Sequence, residues 1–124
     1  MARILIAEDD EAVRSLVARA LVDDGHETTT ANDGAQALDL LAQKSGKFDL
    51  LLTDIKMPVM DGIALSLATA RDHPDIIIMM MTGYADQRER AHGLDALIHD
   101  VITKPFTLAQ IRGAVKEALT APRR

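Results

Sequence analysis

Short apolar runs alternate with segments of helical period along this chain, and that alternation restricts the fold more than any other feature. The apolar or β-branched runs predict five strands, at 4–7, 28–31, 48–53, 76–81 and 100–103. Most of these runs lack polar alternation, which is typical of parallel strands buried on both faces. The pattern therefore predicts an α/β domain, with a doubly wound, five-stranded parallel sheet and helices on both faces.

Helix signals lie between and after the strands. The first helix is marked by apolar residues at i, i+3, i+4, i+7 and i+8, namely Val13, Leu16, Val17, Ala20 and Leu21. Pro74 must end the third helix, because proline lacks an amide donor and disfavours helical geometry in the preceding residue. Thr107 and Gln110 form a capping box that begins the last helix. The segment 85–93 is mostly charged and polar and predicts only a poor helix.

Composition sets the size and the class of the protein. The 124 residues and 48% hydrophobic content suit one compact domain, which we expect over 1–121, with 122–124 as a short tail and no output domain. The absence of cysteine excludes disulfides and thiolate metal sites, and we expect a cytoplasmic location. A net charge of −5 and an aromatic content of 2% argue against nucleic acid and membrane as partners.

Polar and charged residues follow four of the predicted strands. The set comprises Glu8, Asp9, Asp10, Asp54, Thr82 and Lys104, with Gly83 after Thr82 and Pro105 after Lys104. Ligands of doubly wound sheets bind beyond the carboxyl ends of the strands, so we expect these residues on one rim. Clustered carboxylates repel one another unless a cation neutralises them. Mg²⁺ suits such a rim, because it takes one or two carboxylates and completes its shell with water and phosphate oxygens.

Each of these residues also has an ordinary structural explanation. Asp10 could simply cap the first helix, and Asp54 could form a turn through its own backbone. Thr82 could be an ordinary strand-end hydroxyl, and Lys104 an ordinary lead-in to a helix. One shared site accounts for all the strand ends with a single explanation, so we favour the site.

The motifs ILIAEDD, TDIKMPVMDG, MTGYA and TKPF together resemble the receiver domain of bacterial two-component response regulators. The resemblance extends over essentially the whole chain. It implies a flavodoxin-like, CheY-like fold with strand order 2-1-3-4-5. It also implies that Asp54 is the phosphoacceptor, that Glu8, Asp9 and Asp54 hold Mg²⁺, and that Lys56 lends its backbone carbonyl to the metal.

The resemblance assigns further roles. Lys104 would bind the phosphate, Thr82 would be the switch hydroxyl, and Lys56 and Tyr84 would tune dephosphorylation. The family commonly has Tyr or Phe where this chain has Val101, so a coupled motion of threonine and aromatic ring is not expected. We expect the switch to run instead through Thr82, the Tyr84 loop and the segment 85–93.

The resemblance also implies the partners. A histidine kinase or histidine phosphotransferase would donate the phosphoryl group, and a downstream protein would receive the signal. The chain would be a signalling phosphoacceptor with only self-phosphorylation and autodephosphorylation as intrinsic activities, and a monomer or weak dimer. Among stand-alone receivers it is similar to the CpdR group of alphaproteobacteria, which regulates ClpXP-dependent proteolysis and implies a ClpX-type partner.

Three alternatives stay open. Haloacid-dehalogenase-type phosphatases also place an aspartate nucleophile after a strand, but they carry a D-x-D motif, and here Lys56 stands in place of its second aspartate. A flavodoxin-like cofactor binder is disfavoured by the acidic rim and by the lack of a Gly-rich phosphate loop. The third alternative is a receiver fragment of a larger transcription factor.

Overall fold

The computed structural model describes residues 2–43, 47–83, 93–94 and 96–121. Within these ranges the strands are β1 (Arg3–Ala7), β2 (Glu27–Ala31), β3 (Leu50–Asp54), β4 (Ile77–Thr82) and β5 (Asp100–Thr103). The helices are α1 (Glu11–Asp23), α2 (Gly34–Gln43), α3 (Gly62–Asp72) and α4 (Leu108–Thr120). The predicted poor helix at 85–93 lies outside the described residues except for Gly93, and so does Tyr84.

The strands form one parallel sheet in the order β2-β1-β3-β4-β5, which confirms the predicted fold class and strand order. Ala7, the last residue of β1, pairs with Thr53 in β3, and Asp54 pairs with Met81 in β4. Thr82 pairs with Thr103 at the end of β5. The register therefore brings the carboxyl ends of β1, β3, β4 and β5 to the same edge of the sheet.

The sheet is covered on both faces, because successive side chains of a strand point to opposite sides. Ile4 and Ile6 pack with Val17 of α1 and Val115 of α4. Leu5, between them in sequence, packs on the other face in a cluster that includes Leu41 of α2 and Leu65 of α3. All five residues of β3 are buried. Burying a single leucine or isoleucine side chain stabilises a fold by about 1.5–3 kcal/mol, so these layers fix the strand ends firmly.

Helix ends follow the sequence signals. The Asp10 carboxylate accepts a hydrogen bond from the amide of Val13, so Asp10 is the N-cap of α1. The predicted capping box of Thr107 and Gln110 begins α4. The third helix ends at Asp72, with the C-cap residue immediately before Pro74, as the proline rule requires.

Leu16 departs from the apolar helix face that the sequence predicts. Val17, Ala20 and Leu21 are buried, whereas Leu16 is 50% exposed. The cause is local: Leu16 borders an open cavity at the carboxyl edge of the sheet and not the layer between helix and sheet. In the described part of the chain, no helix is both long and apolar enough to span a bilayer.

Candidate functional site

The carboxyl ends of β1, β3 and β5 place the charged residues of the site. Glu8 directly follows β1, and its amide donates to the carbonyl of Ala31 at 3.1 Å, which extends the pairing with β2 by one residue. Lys104 directly follows β5, and its amide donates to the carbonyl of Thr82 at 2.7 Å. Asp54 is the last residue of β3, which lies between β1 and β4. Three charged side chains therefore meet at the edge formed by the strand ends.

The carboxylates of Glu8, Asp9 and Asp54 form one cluster. One oxygen from each lies within 4.8 Å of the others. Glu8 is fully buried at 0% exposure and Asp54 is 6% exposed, whereas Asp9 is exposed. Two carboxylates held this close, out of water, repel one another strongly and require a cation.

Lys104 provides a positive charge between the two buried acids. Its Nζ donates to Glu8 Oε1 at 2.6 Å and to Asp54 Oδ2 at 3.2 Å. Backbone amides bind the other two oxygens: Asp10 donates to Glu8 Oε2 at 3.3 Å, and Ile55 donates to Asp54 Oδ1 at 2.9 Å. Every carboxylate oxygen of Glu8 and Asp54 therefore has a donor, and both side chains are fixed in direction.

The protonation equilibria reflect this crowding. Burial raises the pKa of Glu8, and the neighbouring Asp54 raises it further, against the opposing effect of Lys104. Burial and a hydrogen bond with Glu8 raise the pKa of Asp9. Burial lowers the pKa of Lys104, but the bond to Glu8 and the charges of Glu8 and Asp54 outweigh it, so the net shift is upward. The Lys104 ammonium thus holds its proton more firmly than usual, and the Glu8 carboxylate beside it binds a proton more readily than usual.

A cavity of about 580 Å³ opens over this cluster. Its charged wall includes Asp9, Asp54 and Lys104, and the side of α1 contributes Val13 and Leu16. Remaining lining residues are Glu8, Asp10, Lys56, Gly83, Pro105 and Phe106. The acidic cluster therefore faces an open cavity.

Gly62 holds the loop that follows the phosphoacceptor candidate. Its amide donates to the carbonyl of Ile55 at 2.8 Å. A Cβ at this position would overlap the backbone carbonyl oxygen of Asp54, so only glycine allows α3 to begin here. The close packing of Gly62 against the Asp54 carbonyl fixes the backbone of Asp54.

The cluster fits a hard divalent cation. Carboxylate oxygens are the ligands that Mg²⁺ prefers, and three of them converge here from two strand ends. The side chains of Glu8, Asp9 and Asp54 would hold the ion. Lys56 lines the same cavity.

The structure places the other predicted residues as follows. Thr82 is fully buried at the end of β4, one residue after Met81, which is the partner of Asp54 in the sheet. Val101 is half-buried in β5 and packs against a core cluster that includes Ile98 and Met80. The sequence analysis missed Arg14, whose Nη1 donates to the carbonyl of Glu8 at 2.9 Å. Its sequence signal is a positive charge near the start of a helix, where the helix dipole disfavours one.

Known proteins share both the sequence pattern and the fold. The family model "Response regulator receiver domain" matches residues 4–116. The response regulator MprA of Mycobacterium tuberculosis is 35% identical over 117 residues, which cover 94% of this chain and 50% of that protein. The sensor kinase CckA of Brucella abortus is 37% identical over 119 residues, covering 95% of this chain and 12% of that protein. The chain thus spans half or less of the length of these two relatives.

A solved structure of a response regulator has the same fold as this chain. The response regulator TrrA from Thermotoga maritima, in complex with Mg²⁺-BeF, superposes with a TM-score of 0.84 at 28% identity. The match covers 96% of this chain and all of that chain. The family model, the strand order and the acidic cluster agree, and the chain belongs to the response regulator receiver domain family of two-component systems.

Proposed function

We propose that this receiver takes a phosphoryl group from a phosphohistidine onto Asp54 and thereby changes a surface that binds another protein. The observation that carries the proposal is the buried cluster of Glu8, Asp54 and Lys104 beneath an open cavity. Asp54 is buried, and the amide of Ile55 binds its carboxylate. The carboxylate is therefore aligned before a phosphoryl donor binds. Phosphoryl transfer demands mainly such alignment and charge neutralisation.

In the transfer, a carboxylate oxygen of Asp54 forms a bond to phosphorus, and the bond between phosphorus and the donor's imidazole nitrogen breaks. The electron pair of that bond stays on the imidazole, and the product is an acyl phosphate on Asp54. The donor would be a histidine kinase or a histidine phosphotransferase. No other residue of this chain needs to form a covalent bond.

The residues around Asp54 would offset the negative charge of the phosphoryl group. Glu8, Asp9, Asp54 and the Lys56 carbonyl would hold Mg²⁺, which when bound supplies positive charge to the phosphoryl oxygens. Lys104 would turn from Asp54 Oδ2 to a phosphate oxygen, because its flexible stem lets the ammonium follow the new negative charge. Mg²⁺ and the Lys104 ammonium would together offset the negative charge of the phosphoryl group and of the buried carboxylates.

We propose that Thr82 then binds a phosphate oxygen and so reports the modification, while Lys56 and Tyr84 tune its hydrolysis. The amide of Lys104 donates to the carbonyl of Thr82 at 2.7 Å, so the backbone segments that carry the two groups are joined directly. Half-buried, β-branched Val101 has little rotamer freedom. The signal would therefore leave through Thr82 and the segment after it, and not through a side-chain rotation in β5.

The test is to incubate the protein with a small phosphodonor such as acetyl phosphate, with and without Mg²⁺, and to locate the label by mass spectrometry. We expect one phosphoryl group, on Asp54, that requires Mg²⁺ and is absent in Asp54→Asn. Asp49→Asn, an exposed carboxylate at the opposite edge of the sheet, is the matched control and should label normally. Labelling of Asp54→Asn, or full labelling with a chelator present, would refute the proposal.

For the output, we propose a CpdR-like role in which the unphosphorylated receiver binds a ClpX-type unfoldase. Its support is the similarity to that group of the stretches LIAEDD, LLLTDI-MP-MDGI, DI-IM--TGYA and VITKP. Cytoplasmic location and the residue limits of the domain remain predictions.

Binding of the purified unfoldase to the receiver should be lost on phosphorylation and retained in Asp54→Asn. Equal binding of the phosphorylated and unmodified forms would remove this output while leaving the phosphoacceptor role intact.

A further inference from the structure

Arg14 links the first helix to the acidic cluster. Its described side-chain hydrogen bond goes to a backbone carbonyl and not to a carboxylate. Its Nη1 donates to the backbone carbonyl of Glu8 at 2.9 Å, six residues earlier. The side chain is half-buried. A cation near the start of a helix is disfavoured by the helix dipole. The bond to Glu8 therefore compensates for a position that is otherwise unfavourable to arginine.

The carbonyl of Glu8 needs a partner from outside the sheet. Glu8 lies one residue beyond β1, where the ladder with β3 ends at the pair of Ala7 and Thr53. A buried carbonyl without a hydrogen-bond donor destabilises the fold. Arg14 provides the donor, and it does so from α1 and not from a neighbouring strand.

The turn between β1 and α1 is thus tied at both ends. At one end the amide of Glu8 donates to Ala31, and at the other the amide of Arg14 donates to the carbonyl of Asp10 at 2.9 Å. The Arg14 side chain closes the loop between these two anchors. Asp9 is the residue enclosed by this loop, and its carboxylate is the exposed member of the cluster.

We infer that Arg14 is a positioning residue for the divalent cation site, because it fixes the turn that carries Glu8 and Asp9. The inference rests on the proposed binding of Mg²⁺ at this cluster. Arg14 acts through the backbone of Glu8 and contributes no ligand of its own. Its role resembles that of other outer partners of metal ligands, whose loss typically weakens metal binding about 10- to 100-fold.

The sign of the effect separates positioning from simple charge. Arg14 carries a positive charge close to the cluster, so its removal should strengthen cation binding if electrostatics alone mattered. If Arg14 holds the turn, its removal should weaken binding despite the more negative site. A purely structural role would lower stability and leave Mg²⁺ affinity unchanged.

The experiment measures the Mg²⁺ dissociation constant by calorimetric titration of the intact chain. Arg14→Met keeps much of the apolar stem and removes the donors, and we expect about tenfold weaker binding. Arg19→Met removes the same charge from an exposed position on the same helix and should bind as the wild type or slightly more tightly. Arg14→Lys retains the charge without the planar fork, and its affinity should lie between wild type and Arg14→Met.

Unchanged or tighter binding by Arg14→Met would overturn the inference. If that variant does not fold, Arg14→Lys decides: weaker binding than wild type supports positioning, and equal or tighter binding contradicts it. At saturating Mg²⁺ the labelling of Asp54 in the variants should match the wild type. Failure of the wild type itself to bind Mg²⁺ would refute the proposed metal site, and that outcome is distinguishable from a failure of Arg14 alone.

Discussion

The two edges of the sheet carry similar residue types and use them differently. At the amino edge, Asp49 accepts a hydrogen bond from the amide of Arg3 at 2.8 Å, and His26 Nδ1 accepts one from Ala2 at 3.2 Å. Asp49 is exposed, and each group completes one strand end. At the carboxyl edge, Glu8 and Asp54 are buried beside each other with one ammonium between them.

The two edges differ in how strongly their carboxylates interact with nearby charges. Exposed carboxylates interact weakly through water, whereas buried ones feel each other and any cation strongly because the local dielectric is low. The buried carboxylates at the carboxyl edge therefore repel one another. Binding of a divalent ion or of a phosphoryl group would change this balance of charge. Among the described residues of the amino edge, Asp49 and His26 accept bonds from backbone amides at the strand ends.

The largest effect is expected from glycine. Gly62→Ala should lower the free energy of unfolding by about 3 kcal/mol, because the new methyl would overlap the Asp54 backbone and force the loop outward. Gly113→Ala is the contrasting change: nothing lies within 4 Å of a Cβ there. In the middle of α4 it should stabilise by about 0.5–1 kcal/mol through helix propensity. Urea denaturation of both variants tests the pair, and similar effects of the two substitutions would contradict the close packing behind Asp54.

A smaller loss is expected when the central cation is removed. Lys104→Met leaves Glu8 and Asp54 without their shared ammonium, and unfolding without metal should become easier by about 2 kcal/mol, less than for a fully buried pair because Lys104 is partly exposed. Lys116→Met, near the amino edge, should change stability by less than about 0.5 kcal/mol.

Mg²⁺ should stabilise Lys104→Met more than wild type, because the ion and the ammonium compete for the same carboxylates. Thermal unfolding midpoints with and without Mg²⁺ measure this difference. Equal stabilisation of the two proteins would mean that Lys104 does not occupy the place of the cation.

The smallest effect is a gain. Asp54→Asn removes one of two adjacent buried charges and keeps an oxygen for the Ile55 amide, so the protein without metal should gain about 1 kcal/mol. Asp49→Asn should be neutral or slightly destabilising, since its carboxylate accepts a backbone bond in solvent. Equilibrium unfolding in the presence of a chelator gives both values. A loss of stability in Asp54→Asn would show that the charges at the carboxyl edge are not under repulsion.

Much of this architecture follows from local sequence rules. The apolar run of β3, the capping box at Thr107 and the stop before Pro74 each depend on neighbouring residues only, and all agree with the structure. The strand-end rule also predicts which charged groups share an edge.

Contacts between distant parts of the chain were not predictable in the same way. The pair of Lys104 and Glu8 joins residues 96 positions apart, and its geometry depends on how two loops leave the sheet. Arg14 was missed because its partner is a backbone carbonyl, which no side-chain pattern reveals. Leu16 was misassigned to the core because helical period cannot tell an interior from the wall of a cavity.

The most direct test of the contrast between the two edges is an NMR titration of the wild-type protein with Mg²⁺, following every backbone amide. We predict that amides at Glu8, Asp9, Asp54 and Lys104 shift together and saturate with one dissociation constant, while the amide of Asp49 stays unchanged. No saturable shift at the carboxyl edge, or equal shifts at both edges, would contradict the account.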